Sequence, residues 1–357
     1  MAGTNGNGRG AIANRTTGLA TLEAVARAAG VSRATVSRVV NDSPRVSPDA
    51  RRSVERAIES LGYVPNRAAR SLVTRRSDSI GVVITEPTGR LFSDPFFPRL
   101  LRGISAELAA RDRQLVLVMP QSTADQRRAA GYLSAGHVDG VLLTSLHGAD
   151  PLPAQLAARG VPVVVGGRPL EPADVSYVDV DNRAGARAAV GHLLSAGRRV
   201  VATIAGPADM TVGVDRLAGF RDALADAGIG ADPALIVEAD FTHDGGAEAM
   251  RALLARRSDI DGVFAASDAM AAGALSEILA AGRQVPDDVA VVGYDDSPIA
   301  AATRPPLTSV RQPIEEMGRE MARLLIEAIE RGERATRRIV LATELVPRAS
   351  TEVQLRH

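Results

Sequence analysis

From Ile80 onward the chain repeats one unit: a short, almost unbroken apolar run followed by about 10 to 15 residues of helical pattern, the signature of βα repeats. The runs are IGVVIT (80–85), LVLVMP (115–120), DGVLLT (139–144), VPVVVG (161–166) and YVDVD (177–181). They continue with VVATIAG (200–206), ALIVEAD (234–240), DGVFAAS (261–267) and VAVVGYD (289–295). A strand that is apolar on both faces must be covered on both, so these runs predict parallel sheets sandwiched between helices. Nine strands exceed one modest sheet. Two similar lobes solve the problem, with a boundary near Asp181 and Asn182. Open parallel sheets bind ligands beyond the carboxyl ends of their strands, which places a cleft between the lobes.

The segment before Ile80 is different. TLEAVARAAGVSRATVSRVVN (21–41) predicts a helix from about Leu22 to Ala29, with Leu22, Val25 and Ala26 on one apolar face. Gly30 stops it, and Ser32 caps a second helix from about Arg33 to Val40. Val36, Val39 and Val40 give the second helix a buried side; Arg33, Ala34, Thr35 and Arg38 lie nearer its first turns and opposite side. Two helices joined by a glycine turn make a helix-turn-helix, whose second helix enters the DNA major groove. The plainer alternative is a helical hairpin with a solvated arginine face. Ser47 and Pro48 start a third helix running to about Leu61, with Val54, Ala57, Ile58 and Leu61 on one face. Asn66 can cap a short helix from Arg67 to about Val73 that contains Leu72. Alone it is too short to be stable in water, but it can fold on contact with DNA.

Charge follows this division. The chain is formally neutral, yet residues 19–77 hold eleven arginines against five acids, an excess of six positive charges. A basic head on a neutral-to-acidic body suits DNA binding by one domain. The first 18 residues read as a disordered tail with no signal-peptide core. No apolar run approaches the roughly 20 residues of a membrane span, and cysteine is absent, so a cytoplasmic protein is expected.

The chain has no Trp, six Phe and four Tyr, so aromatic placement is informative. Phe92, Phe96 and Phe97 follow the first strand, Phe241 follows the seventh, and Tyr294 ends the ninth. Flat apolar rings beside carboxylates and amides suit a sugar. The polar candidates at strand ends are Asp94, Arg168, Asp181, Asn182, Arg216, Asp268, Asp295 and Asp296. For Asp181, Asn182 and Asp268, helix capping competes with ligand contact. Enzymatic readings find little support. No HExxH, GxSxG, P-loop or GxGxxG sequence occurs, no histidine pair has metal spacing, and Asp295 and Asp296, being adjacent, point apart. No catalytic residue, metal or cofactor is expected.

From Thr21 to Thr351 the chain resembles the LacI/GalR family of bacterial transcription regulators. The resemblance rests on TLEAVARAAGVSRATVSRVVN, YVPNRAARSL, YVDVDNRAGA, RLAGF, SDAMAAGAL and VVGYDDSPIAAATRPPLTSVRQP, in family order. FSDPFF, YLSAGHVDG and VVGGRP look more like its actinobacterial cellobiose-responsive members. The resemblance implies an all-α helix-turn-helix head with a hinge helix, followed by an α/β two-lobed, periplasmic-binding-protein-like (type I) effector domain. The expected boundaries are residues 19–64 for the head and 65–78 for hinge helix and linker. The effector and dimerisation domain spans 79–347, its first lobe about 79–181 plus 309–342 and its second about 182–306 plus 343–351, with 352–357 a tail.

Roles follow from the same resemblance. Arg33, Ala34 and Arg38 match base-reading positions, with Ser32, Thr35, Asn41, Asn66 and Arg67 beside the DNA. Leu72 matches a hinge leucine that wedges into the minor groove. Arg216 and Asp295 match effector contacts, and Phe241 a ring that stacks on the sugar. Two positions depart from the pattern: Ser267 replaces an asparagine, and GGRP (166–169) replaces an acidic segment, which weakens Arg168 as a ligand contact. The expected partners are palindromic double-stranded operator DNA, a small sugar and a second copy of the chain, without membrane contact. The expected activity is repression relieved by a cellobiose-like disaccharide. A transport system's sugar-binding protein and a corepressor-dependent regulator remain alternatives.

Overall fold

Local capping chemistry sets the helices of the N-terminal segment. Thr21 Oγ1 accepts the Ala24 amide (3.2 Å) at the start of α1 (Leu22–Ala29), and Gly30, at φ +66°, ends it. Ser32 Oγ accepts the Thr35 amide (3.1 Å) at the start of α2 (Arg33–Val40). Ser47 caps α3 (Pro48–Leu61), which stops at Gly62, φ +60°. Val25, Ala26, Val36, Val39, Val54, Ala57 and Tyr63 close a small core, while Leu61, expected on the inner face of α3, is exposed.

The computed structural model describes residues 20–40, 43–64, 76–332 and 335–352. These divide between two units, Met1–Ser77 and Asp78–His357. The expected N-terminal tail, Asn41 and the expected hinge helix with Asn66, Arg67 and Leu72 lie outside the described residues.

In the second unit all nine apolar runs are strands, and three further strands join them, giving twelve among the described residues. The first lobe contains β1 (Ser79–Ile84), α4 (Thr88–Ser93), α5 (Phe96–Ala109), β2 (Gln114–Val118), α6 (Thr123–Ser134) and β3 (Gly140–Thr144). It continues through α7 (Leu152–Ala158), β4 (Val163–Gly166) and β5 (Ser176–Val180). The chain then enters the second lobe with α8 (Asn182–Ser195), β6 (Val201–Ala205), α9 (Thr211–Asp226), β7 (Ile236–Glu238), α10 (His243–Arg256) and β8 (Gly262–Ala265). There follow α11 (Asp268–Ala280), β9 (Ala290–Asp295), α12 (Pro298–Ala302) and β10 (Thr308–Arg311). It returns to the first lobe for α13 (Ile314–Arg331) and β11 (Arg338–Leu341), and finishes in the second with β12 (Glu344–Val346).

The two sheets repeat one topology. Their orders are β11-β5-β4-β3-β1-β2 and β12-β10-β9-β8-β6-β7, parallel throughout except for β12 against β10. Each is a 2-1-3-4-5 sheet extended by one strand, with its switch point between β1 and β3 or between β6 and β8. This moves one expected boundary. Residues 309–311 belong to β10, which pairs with β9, so the return to the first lobe begins at Gln312. Thr308 and Ser309 are buried there, which a polar TSV sequence does not advertise, because Ser350, Thr351 and Asp268 satisfy their hydroxyl and amide groups.

The first lobe's core is built where α13 crosses α5 at Gly103 and Gly318. A Cβ on Gly103 would lie 2.0 Å from the Glu315 carbonyl oxygen, so only glycine permits the approach.

Candidate functional site

On the first unit, Arg33, Ala34 and Arg38 are exposed on α2 while Val36 and Val39 are buried, so one helix separates a core face from a free face. Ser32, also exposed, spends its hydroxyl on the Thr35 amide and lies 2.9 Å from Thr35 Oγ1. Arg33 Nε lies 3.1 Å from Glu23 Oε1 on α1; both side chains are more than half exposed, and such a pair holds the arginine weakly. This is the arrangement expected of a helix that reads base edges.

Between the two lobes of the second unit lies a cleft of about 850 Å³, counting its open mouth. The strand ends Thr144, Gly166 and Val180 form part of its wall, as the topology requires. Of the expected residues, Asp94, Phe96, Phe97, Arg168, Asn182, Arg216, Phe241 and Asp295 line it, while Phe92, Asp181, Asp268, Tyr294 and Asp296 do not. Phe92 sits on α4 with 70 % of its surface exposed and away from the cleft. Asp268 is buried at the start of α11 but outside the lining; it accepts the Ser297 amide (2.7 Å) and the Ser309 hydroxyl (2.5 Å), so it ties α11 to β10 and to the start of α12. Tyr294 is fully buried and lies beneath Arg216.

Arg216 is the anchor of the second lobe. It is buried, with its guanidinium carbon 3.7 Å from the centre of the Tyr294 ring. Nε donates to Asn182 Oδ1 (2.9 Å) and Nη1 to the Ala266 carbonyl (2.5 Å); Nη1 lies 3.6 Å from Asp295 Oδ1. Asn182 Nδ2 donates to Asp179 Oδ1 (3.2 Å), and the backbone amides of Val180 and Arg168 donate to the same carboxylate. Asn182 is therefore a second-lobe residue that orients Arg216, while its neighbour Asp181 caps α8. Gln312 Nε2 donates to Asp295 Oδ1 (2.5 Å). Burial, opposed by Arg216, pushes the Asp295 carboxyl up to about 8. Asp296 turns away to Arg311 and Arg348, as adjacency predicts.

The first lobe supplies a second polar cluster. Glu86, almost wholly buried, accepts from Arg90 Nη1 (2.8 Å) and from the Ser145 hydroxyl, with His147 Nε2 at 3.2 Å. Burial would raise this carboxyl, but the His147 hydrogen bond, the Arg90 charge and the Ser145 hydroxyl outweigh it and hold it below the usual range. The other histidine nitrogen, Nδ1, is 2.9 Å from Asp209 Oδ2 on the second lobe. Both nitrogens thus face carboxylates, and only an imidazolium donates to both. The hydrogen bond to Glu86, opposed by burial and joined by that to Asp209, raises the His147 pKa. Gly148 N donates to the Asp209 carbonyl (2.7 Å) beside it. A second bridge, Arg168 Nη2 to both oxygens of Asp215 (2.8 and 3.0 Å), also crosses the cleft. Arg168 lines the cleft but is committed to closing it.

Arg90, Glu86, Ser145, His147, Asp179 and Gln312 escape the sequence reading. His147 and Asp209 are separated by 62 positions, and no local pattern pairs them. Gln312 was detectable as the residue after a strand, but that strand reads as polar. Among the described residues no cluster of three metal-binding side chains occurs and no helix is long and apolar enough to cross a membrane.

Comparison with known proteins agrees with both halves. Residues 21–66 match the family of bacterial regulatory proteins, lacI family, and residues 190–351 match the periplasmic binding protein-like domain. The HTH-type transcriptional regulator CelR of Thermobifida fusca is 53% identical over 332 residues, 92% of this chain and 98% of that protein. The ribose operon repressor of Escherichia coli K12 is 35% identical over 93% of this chain and 100% of its own. A solved complex of CelR with cellobiose superposes with a TM-score of 0.75 at 51% identity, covering 93% and 99% of the two chains. The lac repressor dimer bound to operator and an anti-inducer does so with 0.84 at 28% identity, covering 94% and 100%. With an exposed recognition helix on one unit, a two-lobed cleft in the other and relatives matched over nearly their whole length, the chain belongs to the lacI family of helix-turn-helix transcriptional regulators.

Proposed function

We propose that this regulator is a homodimeric repressor of carbohydrate-use genes that leaves a palindromic operator when a sugar occupies its cleft, with a cellobiose-like disaccharide as the first candidate. The observation that carries the reading is the convergence of Arg216, Asp295, Asp94 and Gln312 with the rings of Phe96 and Phe241 in one cleft. Charged donors and acceptors flank apolar faces, the chemistry a sugar demands. The cellobiose complex of CelR, at 51% identity, supports the choice of sugar. The operator complex of the lac repressor dimer supports the choice of DNA and of assembly.

In this reading Arg33, Ala34 and Arg38 read bases in the major groove, with Arg38 donating to a guanine. Ser32, Thr35, Asn41, Asn66 and Arg67 fix the head on the DNA backbone, and Leu72 wedges into the minor groove at the operator centre. The sugar acts by binding the closed lobes more tightly than the open ones. Reversing a 1:99 preference to 99:1 needs roughly 5.5 kcal/mol of differential binding, which two cleft sites per dimer share.

Gel-shift titration of the full-length protein on the DNA upstream of its own gene tests this, with cellobiose, glucose and ribose added in turn. Release by cellobiose at concentrations where glucose and ribose leave the complex intact is expected. DNA binding that no sugar alters would defeat the effector assignment, and tightening by sugar would reverse its sign.

A further inference from the structure

Arg90 Nε is a buried side-chain nitrogen without a hydrogen-bond partner, and it is the only such atom in the cleft lining among the described residues. The side chain is held in place, being only 15 % exposed. Nη1 is fixed by Glu86, which the Ser145 hydroxyl and His147 fix in turn. The guanidinium carbon lies 5.0 Å from the ring centre of Phe241 and 5.9 Å from that of Phe97. A guanidinium clamped between two rings and a carboxylate cannot swing Nε toward another protein acceptor.

Asp94 Oδ2 lies 3.9 Å from Nε, beyond hydrogen-bond reach. Asp94 Oδ1 already accepts the Phe96 amide (2.9 Å). Both residues line the cleft, so a donor and an acceptor lie side by side at a spacing neither can close. One hydroxyl oxygen can sit about 2.8 Å from each of two such atoms, accepting from one and donating to the other. Leaving a buried charged donor unsatisfied is costly, so this pair discriminates between a ligand that supplies the hydroxyl and one that does not.

We infer that Arg90 and Asp94 form a specificity-determining pair that reads one hydroxyl of the bound sugar, Nε donating to its oxygen and Asp94 Oδ2 accepting its proton. The inference rests on the sugar-binding reading above. The pair differs from the Arg216 cluster in belonging wholly to the first lobe, yet its guanidinium is braced by Phe241 of the second. A sugar that satisfies the pair therefore also rewards closure of the lobes, and a sugar lacking that hydroxyl is a weaker ligand and a weaker inducer.

Calorimetric titration of the full-length protein with cellobiose and its singly deoxygenated analogues tests the pair, in the natural sequence and in Arg90→Lys and Asp94→Asn. Arg90→Lys keeps a cation beside Glu86 but removes Nε. Asp94→Asn leaves the Arg90 clamp intact, so either variant suffices if the other misfolds. One analogue should bind the natural protein about 10-fold or more weakly than cellobiose, the value of a hydrogen bond to a charged group. Both variants should lose about the same factor for cellobiose and no longer discriminate against that analogue. Variants that bind cellobiose as tightly as the natural protein, or keep its full discrimination among the analogues, overturn the pair. Failure of the natural protein to bind cellobiose overturns the sugar reading itself, and shows before any variant is made.

Discussion

His147 Nδ1 lies 2.9 Å from Asp209 Oδ2, and the two residues belong to opposite lobes of the cleft. With Glu86 at the other ring nitrogen, the contact is complete only when the imidazole is protonated. Closure therefore takes up a proton.

The sign follows from the raised His147 pKa. Glu86, on the same lobe, raises the His147 pKa whether or not the lobes meet, while the part due to Asp209 exists only in the closed form, so closure is favoured while His147 is protonated and loses that contribution as pH rises through the raised value. Sugar affinity should accordingly fall as pH climbs from about 6.5 into the alkaline range. In His147→Gln the profile should flatten over that window, as calorimetry at several pH values would record. An unchanged slope in the variant would assign the pH dependence elsewhere, Asp295 at about 8 being the nearest alternative.

Arg216 links Asn182, the Ala266 carbonyl and the Asp295 carboxylate in a buried site. Arg216→Ala removes one partner of a buried pair and should cost about 3 kcal/mol of stability. The folded fraction should still retard operator DNA while ignoring sugar. A normally inducible Arg216→Ala protein would take Arg216 out of the effector site.

Arg38 is exposed on the face of α2 opposite Val36 and Val39. Arg38→Ala should relax base preference at one operator position by about 1 to 3 kcal/mol and leave the remaining positions unchanged. Competition gel shifts with single-base operator variants measure this. A uniform loss at all positions would make Arg38 a phosphate contact.

Gly103 sets the spacing between α5 and α13. Gly103→Ala drives a methyl group into the Glu315 carbonyl and should destabilise by about 3 kcal/mol, because backbone cannot move aside as a side chain can. Thermal unfolding should show a melting point several degrees lower. Gly89→Ala, at a helical position with nothing within 4 Å, is the control and should be neutral or slightly stabilising. Equal melting points for the two variants would contradict the close crossing.

Helix limits in the first unit are legible in the sequence because caps are local. Thr21, Gly30, Ser32, Ser47 and Gly62 each act within a few residues of themselves. The strands of the nine apolar runs are equally legible: the inner ones are apolar throughout because both faces are covered, and the edge strands β2 and β7 carry the same apolar runs. The strands β10, β11 and β12 are not. β11 and β12, each at a sheet edge, leave every residue exposed or half-buried, and β10 buries hydroxyls that pair with residues some 40 positions away.

The candidate site divides the same way. The sequence alone places Phe241 and Asp295 at strand ends beside one cleft, because strand direction dictates it, while Asp94 and Arg216 reach the cleft from the helical segments that follow β1 and β6. It does not separate Phe92 from Phe96 in the same loop, nor Asp268 from Asp295 at neighbouring strand ends. Those outcomes depend on which way a side chain leaves the backbone and on what packs against it. The polar pairings are a further step removed. Arg168 with Asp215, His147 with Asp209 and Arg90 with Phe241 each join segments distant in the chain. Ion pairs and ring contacts act over a few ångströms of space, so only the tertiary structure, by bringing two lobes together, decides which of many arginines and acids meet.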